Sequence, residues 1–225
     1  MSAQPHSQPP SEPPSGPLTV ADVEILRECI DRAGVVVLPA DTVYGLGCDP
    51  TSAPAVRRLY ELKDRPPTRP AAVMFFALDP ALRALPELAP GERAAVEALL
   101  PGPLTLLLPN RTRRYPLAGG PQPGAADTLG LRIPLLPPHL AALTAFAAPL
   151  LQSSANLSGG PEARRLADVP ASIRDGADLV LDGGELPGVA STVLDLRDYA
   201  RTGEWRIVRA GPVGRDELER MLASC

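Results

Sequence analysis

The chain has 225 residues, a net charge of −4, 44% hydrophobic and 21% charged residues, which is the composition of a folded protein with one substantial core. Its 2 histidines and 3 cysteines are too few and too scattered for a zinc site of about four ligands, and no nucleophile elbow is present, so metal hydrolysis and thiol chemistry are both disfavoured. The acidic charge balance argues against a general nucleic-acid binder.

The first 17 residues are rich in proline and serine and predict a disordered tail at 1–17, followed by one domain at 18–225. We find neither a secretory signal nor an apolar stretch of about 18 residues that could cross a membrane. An odd number of cysteines without a signal is typical of a reducing compartment. We therefore expect a cytoplasmic protein that makes no membrane contact.

The elements follow one another in an alternating order. Thr19 caps the first predicted helix, which Gly34 ends, and Val35–Leu38 is a continuous apolar run typical of a strand buried on both faces. Residues 41–49 predict a turn or an irregular strand. Further helices are predicted at 52–63, 79–85, 91–100, 138–147, 166–174 and 214–222. Further strands are predicted at 71–76, 104–108, 129–133, 149–152, 179–181, 192–196 and 205–208. This order predicts a single-domain α/β fold whose late strand pair adds antiparallel pairing.

Cationic side chains cluster after the second helix. Lys63 and Arg65 stand at the helix end before two prolines, a geometry that suits either a clamp for a polyphosphate or simple capping of the helix. Arg132 lies on a strand between apolar neighbours and requires a carboxylate partner, which could belong to the protein or to a ligand. Arg209 ends a strand before a Gly-Pro turn, where a cation can reach a bound anion.

Small polar residues follow other strands. Ser153–Asn156 comes directly after a buried strand, and its hydroxyls and amide could bond phosphate or ribose oxygens or could satisfy their own turn. Asp41, Thr42 and Ser191 also lie beside strands, with capping as the simpler interpretation. No phosphate-binding loop of the GxxxxGK[ST] type is present, so side chains would have to hold any nucleotide.

Taken in order, these segments resemble a known family. Pro39–Gly47 is similar to the opening signature of the YrdC/TsaC family of threonylcarbamoyl-AMP synthases. Six more motifs follow in the family's order: Lys63-x-Arg65-Pro66, Pro101–Thr105, Leu131–Pro134, Ser153–Gly159, Ser191–Val193 and Arg209-x-Gly211-Pro212.

The resemblance implies a twisted mixed α/β sheet, flanked by helices, around a concave and positively lined pocket. It implies a nucleotidyltransferase that condenses L-threonine, bicarbonate or CO2 and ATP into threonylcarbamoyl-AMP and pyrophosphate. A separate tRNA threonylcarbamoyl transferase complex would then complete the t6A modification, so tRNA binding by this chain should be weak or indirect. Mg2+ would be held by the ATP phosphates and not by a protein metal site.

The resemblance also implies roles for single residues. Thr42, Arg132 and Ser191 should bind L-threonine. Lys63 and Arg65 should be catalytic, binding the triphosphate and helping to orient bicarbonate. The residues expected to face ATP are Lys63, Arg65, Thr128, Ser154, Asn156 and Arg209.

Four positions depart from the family pattern: Ala40, Arg69, Met74 and Gln152. Of these, Met74 and Gln152 could reshape the amino-acid pocket. Two alternatives stay open, namely a carbamoyl-adenylate-forming relative of the hydrogenase-maturation type and a non-catalytic RNA-binding module. The first normally carries acylphosphatase and zinc-finger regions, which are absent here, and the second conflicts with the acidic charge balance.

Overall fold

A computed structural model describes residues 16–66, 69–119 and 127–223 of the chain. The tail predicted at 1–17 therefore lies almost wholly outside the described residues, as does Cys225. In the described part, Cys29 and Cys48 are buried free thiols. No helix there is long and apolar enough to cross a membrane.

The helices and strands alternate along the chain, as the sequence predicts. The helices are α1 (Val20–Asp31), α2 (Ala53–Leu62), α3 (Leu78–Ala84), α4 (Pro90–Leu99), α5 (Pro116–Gly119), α6 (Ala171–Gly176), α7 (Tyr199–Thr202) and α8 (Arg215–Leu222). The strands are β1 (Val36–Pro39), β2 (Tyr44–Cys48), β3 (Ala72–Met74), β4 (Leu104–Pro109), β5 (Thr128–Arg132), β6 (Leu150–Ser154), β7 (Leu179–Val180), β8 (Thr192–Asp195) and β9 (Arg206–Arg209).

Within the described residues these strands form one sheet in the order β7-β1-β2-β6-β3-β5-β4-β8-β9. β1 pairs with β7, β3 with β5, and β4 with β8 in parallel; the other neighbours are antiparallel. The predicted single mixed sheet flanked by helices is confirmed, and so is the late antiparallel pair β8–β9.

Local signals explain where several elements begin. Thr19 and Asp22 form a capping box at the start of α1, and the Ser52 hydroxyl accepts from the Ala55 amide at the start of α2. All four residues of β1 are buried because β1 lies inside the sheet between β2 and β7. The predicted caps of α1 and α2 are therefore confirmed, whereas β1 begins one residue after the predicted run and α1 ends at Asp31, before Gly34.

Four predicted elements differ from the structure. Residues 138–145 form a 3₁₀ helix, in which the Leu140 amide bonds the Pro137 carbonyl, and not an α-helix. The helix predicted at 166–174 is divided into a short 3₁₀ turn and α6, because Pro170 cannot continue a helix and restrains the residue before it. The irregular segment predicted at 41–49 contains the regular strand β2, and β6 extends to Ser154.

Candidate active site

The centre of the sheet places distant sequence segments in neighbouring rows. Gln152, Ala72, Gly130 and Leu107 lie side by side across β6, β3, β5 and β4. Residues two positions along a strand point to the same face and lie about 6.6 Å further on. The next row on one side therefore contains Ser154 of β6 and Thr128 of β5, and the next row on the other side contains Arg132. The segments predicted to face ATP and L-threonine thus share one face of the sheet.

A cavity of about 310 Å³ lies over this face. Its lining includes three arginines, two strand-end serines and one acidic residue: Arg65, Arg132, Arg209, Ser154, Ser191 and Glu162. Gly130 and Ala72 lie on its floor and leave room above the sheet. Among the described residues, the lining does not include Lys63, Asn156, Thr42 or Thr128, which lie behind or beside this wall.

Arg132 is held at one end of the cavity by residues that precede β2. Its Nη2 atom donates to the Asp41 carboxylate at 2.5 Å and to the Thr42 hydroxyl at 2.6 Å. The Arg132 and Asp41 side chains are both 5% exposed, so this ion pair is shielded from water. Of the two partners that the sequence leaves open for Arg132, the structure supplies a protein acid. Arg132 nevertheless lines the cavity, so one edge of its guanidinium is anchored while the group remains available to a ligand.

Arg209 is anchored next to it by Ser191. Its Nη2 atom donates to the Ser191 carbonyl at 2.8 Å and to the Ser191 hydroxyl at 3.2 Å, and that hydroxyl lies 2.8 Å from the Thr105 hydroxyl. Burial lowers the pKa of the Arg209 guanidinium; the charge of Glu162 raises this pKa and the charge of Arg132 lowers it further. The charges of Glu162 and Arg132 therefore both influence the Arg209 guanidinium.

Arg65 approaches from the end of α2. Its Nη2 atom donates to the Pro70 carbonyl at 2.6 Å, and its guanidinium carbon lies 5.7 Å from the centre of the Tyr60 ring. Its Nη1 atom is 3.5 Å from the Ser153 hydroxyl, at the limit of a hydrogen bond. These contacts hold a cation beside the polar end of β6.

Lys63 lies behind that end of β6, with only 1% of its surface exposed. Its ammonium donates to the Ser154 carbonyl, to the Asn156 carbonyl at 2.6 Å and to the Asn156 side-chain oxygen at 3.1 Å. Burial, reinforced by the nearby Arg65 charge, lowers the pKa of Lys63 to about 8, and the Glu162 charge opposes this. In this structure the ammonium supports the Ser154–Asn156 turn from beneath.

The turn itself is closed by its own side chains. The Ser154 hydroxyl donates to the Asn156 side-chain oxygen at 2.6 Å, and the Asn156 amide nitrogen donates to the Gly160 carbonyl at 2.6 Å. Asn156 is thus an internal brace, whereas Ser154 also lines the cavity. The self-satisfied turn that the sequence allowed is present, and it presents Ser154 to the cavity.

Buried polar atoms without partners concentrate here. In the described part of the chain, four side-chain atoms are buried without a hydrogen bond: Arg65 Nε, Arg132 Nε, Glu162 Oε2 and Arg174 Nε. The first three belong to residues that line the cavity. Because leaving a buried polar group unpaired costs about 1–3 kcal/mol, such a concentration is typical of a site that awaits a ligand.

Of the four departures from the family pattern, Gln152 lines the cavity, whereas Met74 is not among the described residues of its lining. Met74 is fully buried and pairs in register with Arg132. Gln152 is 5% exposed and reaches the cavity, and its amide would lie 2.7 Å from a Cβ atom on Gly45, so glycine leaves room for it. Ala40 is buried, and the exposed Arg69 contacts the Ser158 hydroxyl at 3.4 Å.

A larger cleft of about 540 Å³ lies between β8, β9 and α8. Its charged groups satisfy one another: Asp195 pairs with Arg197 at 2.7 Å and with Arg206 at 3.0 Å, and Arg215 stacks on Trp205. The smaller cavity is therefore the candidate active site, because buried polar atoms without hydrogen-bond partners lie in its lining, whereas the larger cleft is distinguished only by its volume.

Sequence reasoning missed three contributors to the site. Asp41 was interpreted as a cap, Thr105 appeared only within a family motif, and Glu162 was not singled out. The separation of 91 positions between Asp41 and Arg132 explains the first, since only the fold brings them together. Outside the site, the exposed side chains of Arg111, Arg113 and Arg114 pair with Glu92, Asp127 and Glu87, respectively.

Comparison with known proteins adds independent information. The Sua5/YciO/YrdC family, described as "Telomere recombination", matches residues 28–211. The threonylcarbamoyl-AMP synthase of Xanthomonas campestris pv. campestris is 37% identical over 185 residues, which cover 81% of this chain and 95% of that protein.

Two solved structures are also similar. The crystal structure of P. abyssi Sua5 complexed with L-threonine matches with a TM-score of 0.77 and 28% identity, covering 91% of this chain and 58% of that one. The crystal structure of E. coli YciO matches with a TM-score of 0.70 and 25% identity, covering 89% of this chain and 93% of that one.

Proposed function

This chain belongs to the Sua5/YciO/YrdC family, and we propose that it is a threonylcarbamoyl-AMP synthase that acts in t6A synthesis, with L-threonine and ATP as substrates. The chain covers nearly all of the Xanthomonas enzyme of that name, and the matched P. abyssi structure contains L-threonine. Within this activity we assign the chain to the nucleotidyltransferases, with bicarbonate or CO2 as the third reactant.

One observation carries this proposal. Three guanidinium groups, from Arg65, Arg132 and Arg209, converge on one cavity beside the hydroxyls of Ser154 and Ser191. Guanidinium groups match carboxylate and phosphate oxygens in a planar, two-bond geometry. A triphosphate together with an amino-acid carboxylate supplies the anions that such a cavity requires.

We assign the amino-acid end to Arg132, Thr42 and Ser191. The Arg132 guanidinium, fixed by Asp41, would pair with the carboxylate of L-threonine. Thr42 acts through its bond to Arg132, and Ser191 presents its hydroxyl between Thr105 and Arg209. Each of these side chains is already oriented by protein contacts, which lowers the entropic cost of binding.

We assign the nucleotide end to Arg65, Ser154, Thr128 and Arg209, with Lys63 and Asn156 behind them. Arg65 and Arg209 would contact phosphate oxygens from two sides of the cavity. Lys63 contributes by holding the Ser154–Asn156 turn and by placing a buried positive charge beneath it. Its part in catalysis, on this proposal, is support of the phosphate subsite.

With L-threonine and ATP bound at neighbouring ends of the cavity, we propose the following reaction steps. The neutral amine of threonine adds to the carbon of CO2 with loss of a proton, or to the carbon of bicarbonate with loss of water, and either route gives a carbamate. A carbamate oxygen attacks the α-phosphorus of ATP, and the bond from that phosphorus to the β-phosphate oxygen breaks to release pyrophosphate. The fixed cations stabilise the negative charge that develops, and alignment of the reactants supplies much of the acceleration.

Mg2+ would enter with ATP. In the described ranges, no group of three or more His, Cys, Asp or Glu side chains could hold a metal ion. The charged residues among the described lining are three arginines and one glutamate, an excess of positive charge that disfavours a cation, so the phosphates themselves are the fitting ligands. The ion would supply charge neutralisation on those phosphates.

The product is a mixed anhydride that hydrolyses readily, so its use requires an acceptor enzyme. We propose that a tRNA threonylcarbamoyl transferase complex takes it up and that binding of tRNA by this chain itself is weak or indirect. A cytoplasmic location, where such tRNA modification takes place, remains part of the same proposal.

The decisive experiment measures pyrophosphate release from ATP by the purified chain, with L-threonine and bicarbonate each omitted in turn. We expect release only when both are present, together with a product of the mass of threonylcarbamoyl-AMP. Release that does not depend on threonine would refute the assignment and favour a different adenylating activity.

A further inference from the structure

Glu162 is the only acidic residue among the described residues that line the cavity. It faces Arg65, Arg132 and Arg209, yet its Oε2 atom is buried and accepts no hydrogen bond from any residue that the structure describes. A buried carboxylate oxygen without a donor is costly, and it is rarely retained unless something else supplies the donor. The described part of the fold therefore does not explain why the Glu162 Oε2 atom is buried without a hydrogen-bond donor.

The backbone holds Glu162 in place from both sides. Before it, the Gly160 carbonyl accepts from the Asn156 side chain at 2.6 Å. After it, the Ala163 carbonyl accepts from the Tyr44 amide at 3.0 Å, and Ala163 is buried. The carboxylate is thus fixed over the cavity by a segment tied to β2 and to the Ser154–Asn156 turn.

We propose that Glu162 accepts a hydrogen bond from the amino nitrogen of the amino-acid substrate and is a further residue that binds and positions L-threonine. This assignment rests on the proposed function. A zwitterionic amino acid presents an ammonium group about 3 Å from its carboxylate, so the residue that binds the ammonium must lie near the one that binds the carboxylate.

The electrostatic environment supports the amino nitrogen as the donor. Glu162 precedes Ala163, whose carbonyl accepts from the Tyr44 amide, and Tyr44 closely follows Thr42, the residue that contacts Arg132. The backbone at Glu162 therefore adjoins the residues assigned to the amino-acid end of the cavity. The other charged residues of the lining are guanidinium groups, which would repel an ammonium. A charged donor also compensates a buried carboxylate better than a neutral hydroxyl does.

The chemistry permits this contact to persist through the reaction. The ammonium has three N–H bonds, the carbamate retains one, and the threonylcarbamoyl product also retains one. Glu162 can therefore hold the nitrogen while a carbon–nitrogen bond forms on its other side. Retention of that hydrogen bond would fix the direction in which the carbamate oxygen points.

The test compares Glu162→Gln, Glu162→Ala and the control Glu61→Gln, which removes one negative charge from an exposed position on α2. Calorimetry measures binding of L-threonine to the full chain, and pyrophosphate release gives KM separately for threonine and for ATP. We expect Glu162→Gln to weaken threonine binding and to raise its KM by about tenfold or more, while KM for ATP changes less than about twofold. Glu61→Gln should change neither.

Thermal unfolding provides the check on a merely structural role. Glu162 makes no hydrogen bond at Oε2 that glutamine would lose, so the melting temperature of Glu162→Gln should be unchanged or higher. A lower melting temperature, or equal losses for threonine and ATP, would assign the residue to folding and overturn the proposal. A loss confined to ATP would overturn it in favour of a ribose hydroxyl or Mg2+, and unchanged threonine binding would refute it outright.

The same measurements separate this inference from the proposed function. Wild-type protein that binds threonine but releases no pyrophosphate would refute the synthase assignment, while the calorimetric comparison would still decide the role of Glu162. Wild-type protein that releases pyrophosphate with threonine, and a Glu162→Gln variant that binds threonine equally well, would refute only the role of Glu162.

Discussion

Lys63 is the single lysine of the chain, which makes its ionisation directly observable. Its ammonium is buried and donates to oxygens of Ser154 and Asn156, and burial lowers its pKa from 10.5 to about 8. A protein labelled with ¹³C at lysine Cε gives one lysine signal, whose chemical shift follows protonation. We predict a titration midpoint near pH 8 in the folded protein. A midpoint near 10.5 would refute the burial argument.

The same pKa predicts how stability depends on pH. Unfolded Lys63 keeps its proton up to about pH 10.5, whereas folded Lys63 releases it near 8, so the unfolded state binds more protons between these values. The stability of the wild type relative to Lys63→Met must therefore rise across this window. The rise amounts to about 3.5 kcal/mol at most, from about 1.4 kcal/mol for each pH unit between the two pKa values.

Urea unfolding of the wild type and of Lys63→Met at several values between pH 7 and 10.5 measures this difference. At pH 7 the variant should already be less stable, because it leaves buried oxygens of Ser154 and Asn156 without a donor, at about 1–3 kcal/mol for each unpaired group. A difference that stays constant with pH, or that shrinks, would contradict the predicted direction. Subtracting the variant removes the contributions of other groups, such as Tyr44, whose pKa burial raises.

Three further predictions concern the cavity and its surroundings. Arg132→Lys keeps the charge but cannot bond Asp41 and Thr42 with one planar group, so KM for threonine in the pyrophosphate assay should rise at least about tenfold. An unchanged KM would show that the threonine carboxylate binds elsewhere. Gly45→Ala places a Cβ atom 2.7 Å from the Gln152 amide, so we expect several-fold weaker substrate binding with little loss of stability. Adding Gln152→Ala to the same chain should restore substrate binding, and failure of that restoration would show that the clash is not with Gln152. Arg111→Ala removes the cationic partner of the buried Glu92 carboxylate and should lower the free energy of unfolding in urea by about 1–3 kcal/mol. KM for either substrate should stay the same, and a change in KM would contradict this prediction.

Most elements of the fold could be predicted because their signals are local. The caps of α1 and α2 and the apolar run of β1 each depend on residues that are close together in the sequence. β2 was harder, because Gly45 and Gly47 weaken any strand pattern and are explained only by their neighbours across the sheet: a Cβ at Gly45 would meet Gln152, and one at Gly47 would meet Leu38. The predicted helix at 138–147 shows the same limit, since its apolar composition does not distinguish an α-helix from 3₁₀ turns.

The site was predictable where family motifs carried it, as for Arg65, Arg132 and Ser154, and these do line one cavity. The roles of these residues remain predictions. Lys63 could not be placed from sequence, because a lysine at a helix end is compatible both with a phosphate contact and with burial beneath a turn. Glu162 carries no sequence signal, since Gly-Pro-Glu-Ala is typical of a solvated loop. Its position at the cavity results from backbone anchors at Gly160 and Ala163.

The three arginines of the cavity are anchored in the same way, and this anchoring bears on catalysis. Arg132 is tied to Asp41, Arg209 to Ser191, and Arg65 to Pro70, so each guanidinium is oriented by a protein oxygen while it lines the cavity. Three cations that repel one another are thereby held together before any substrate arrives. The repulsion that remains is relieved when anions bind, and most fully when negative charge accumulates on the transferring phosphate. Part of the folding energy is therefore retained as electrostatic stabilisation of the transition state. The carboxylate of Glu162 fits this arrangement, since it reduces the repulsion at the one end of the cavity where a positive group must also bind.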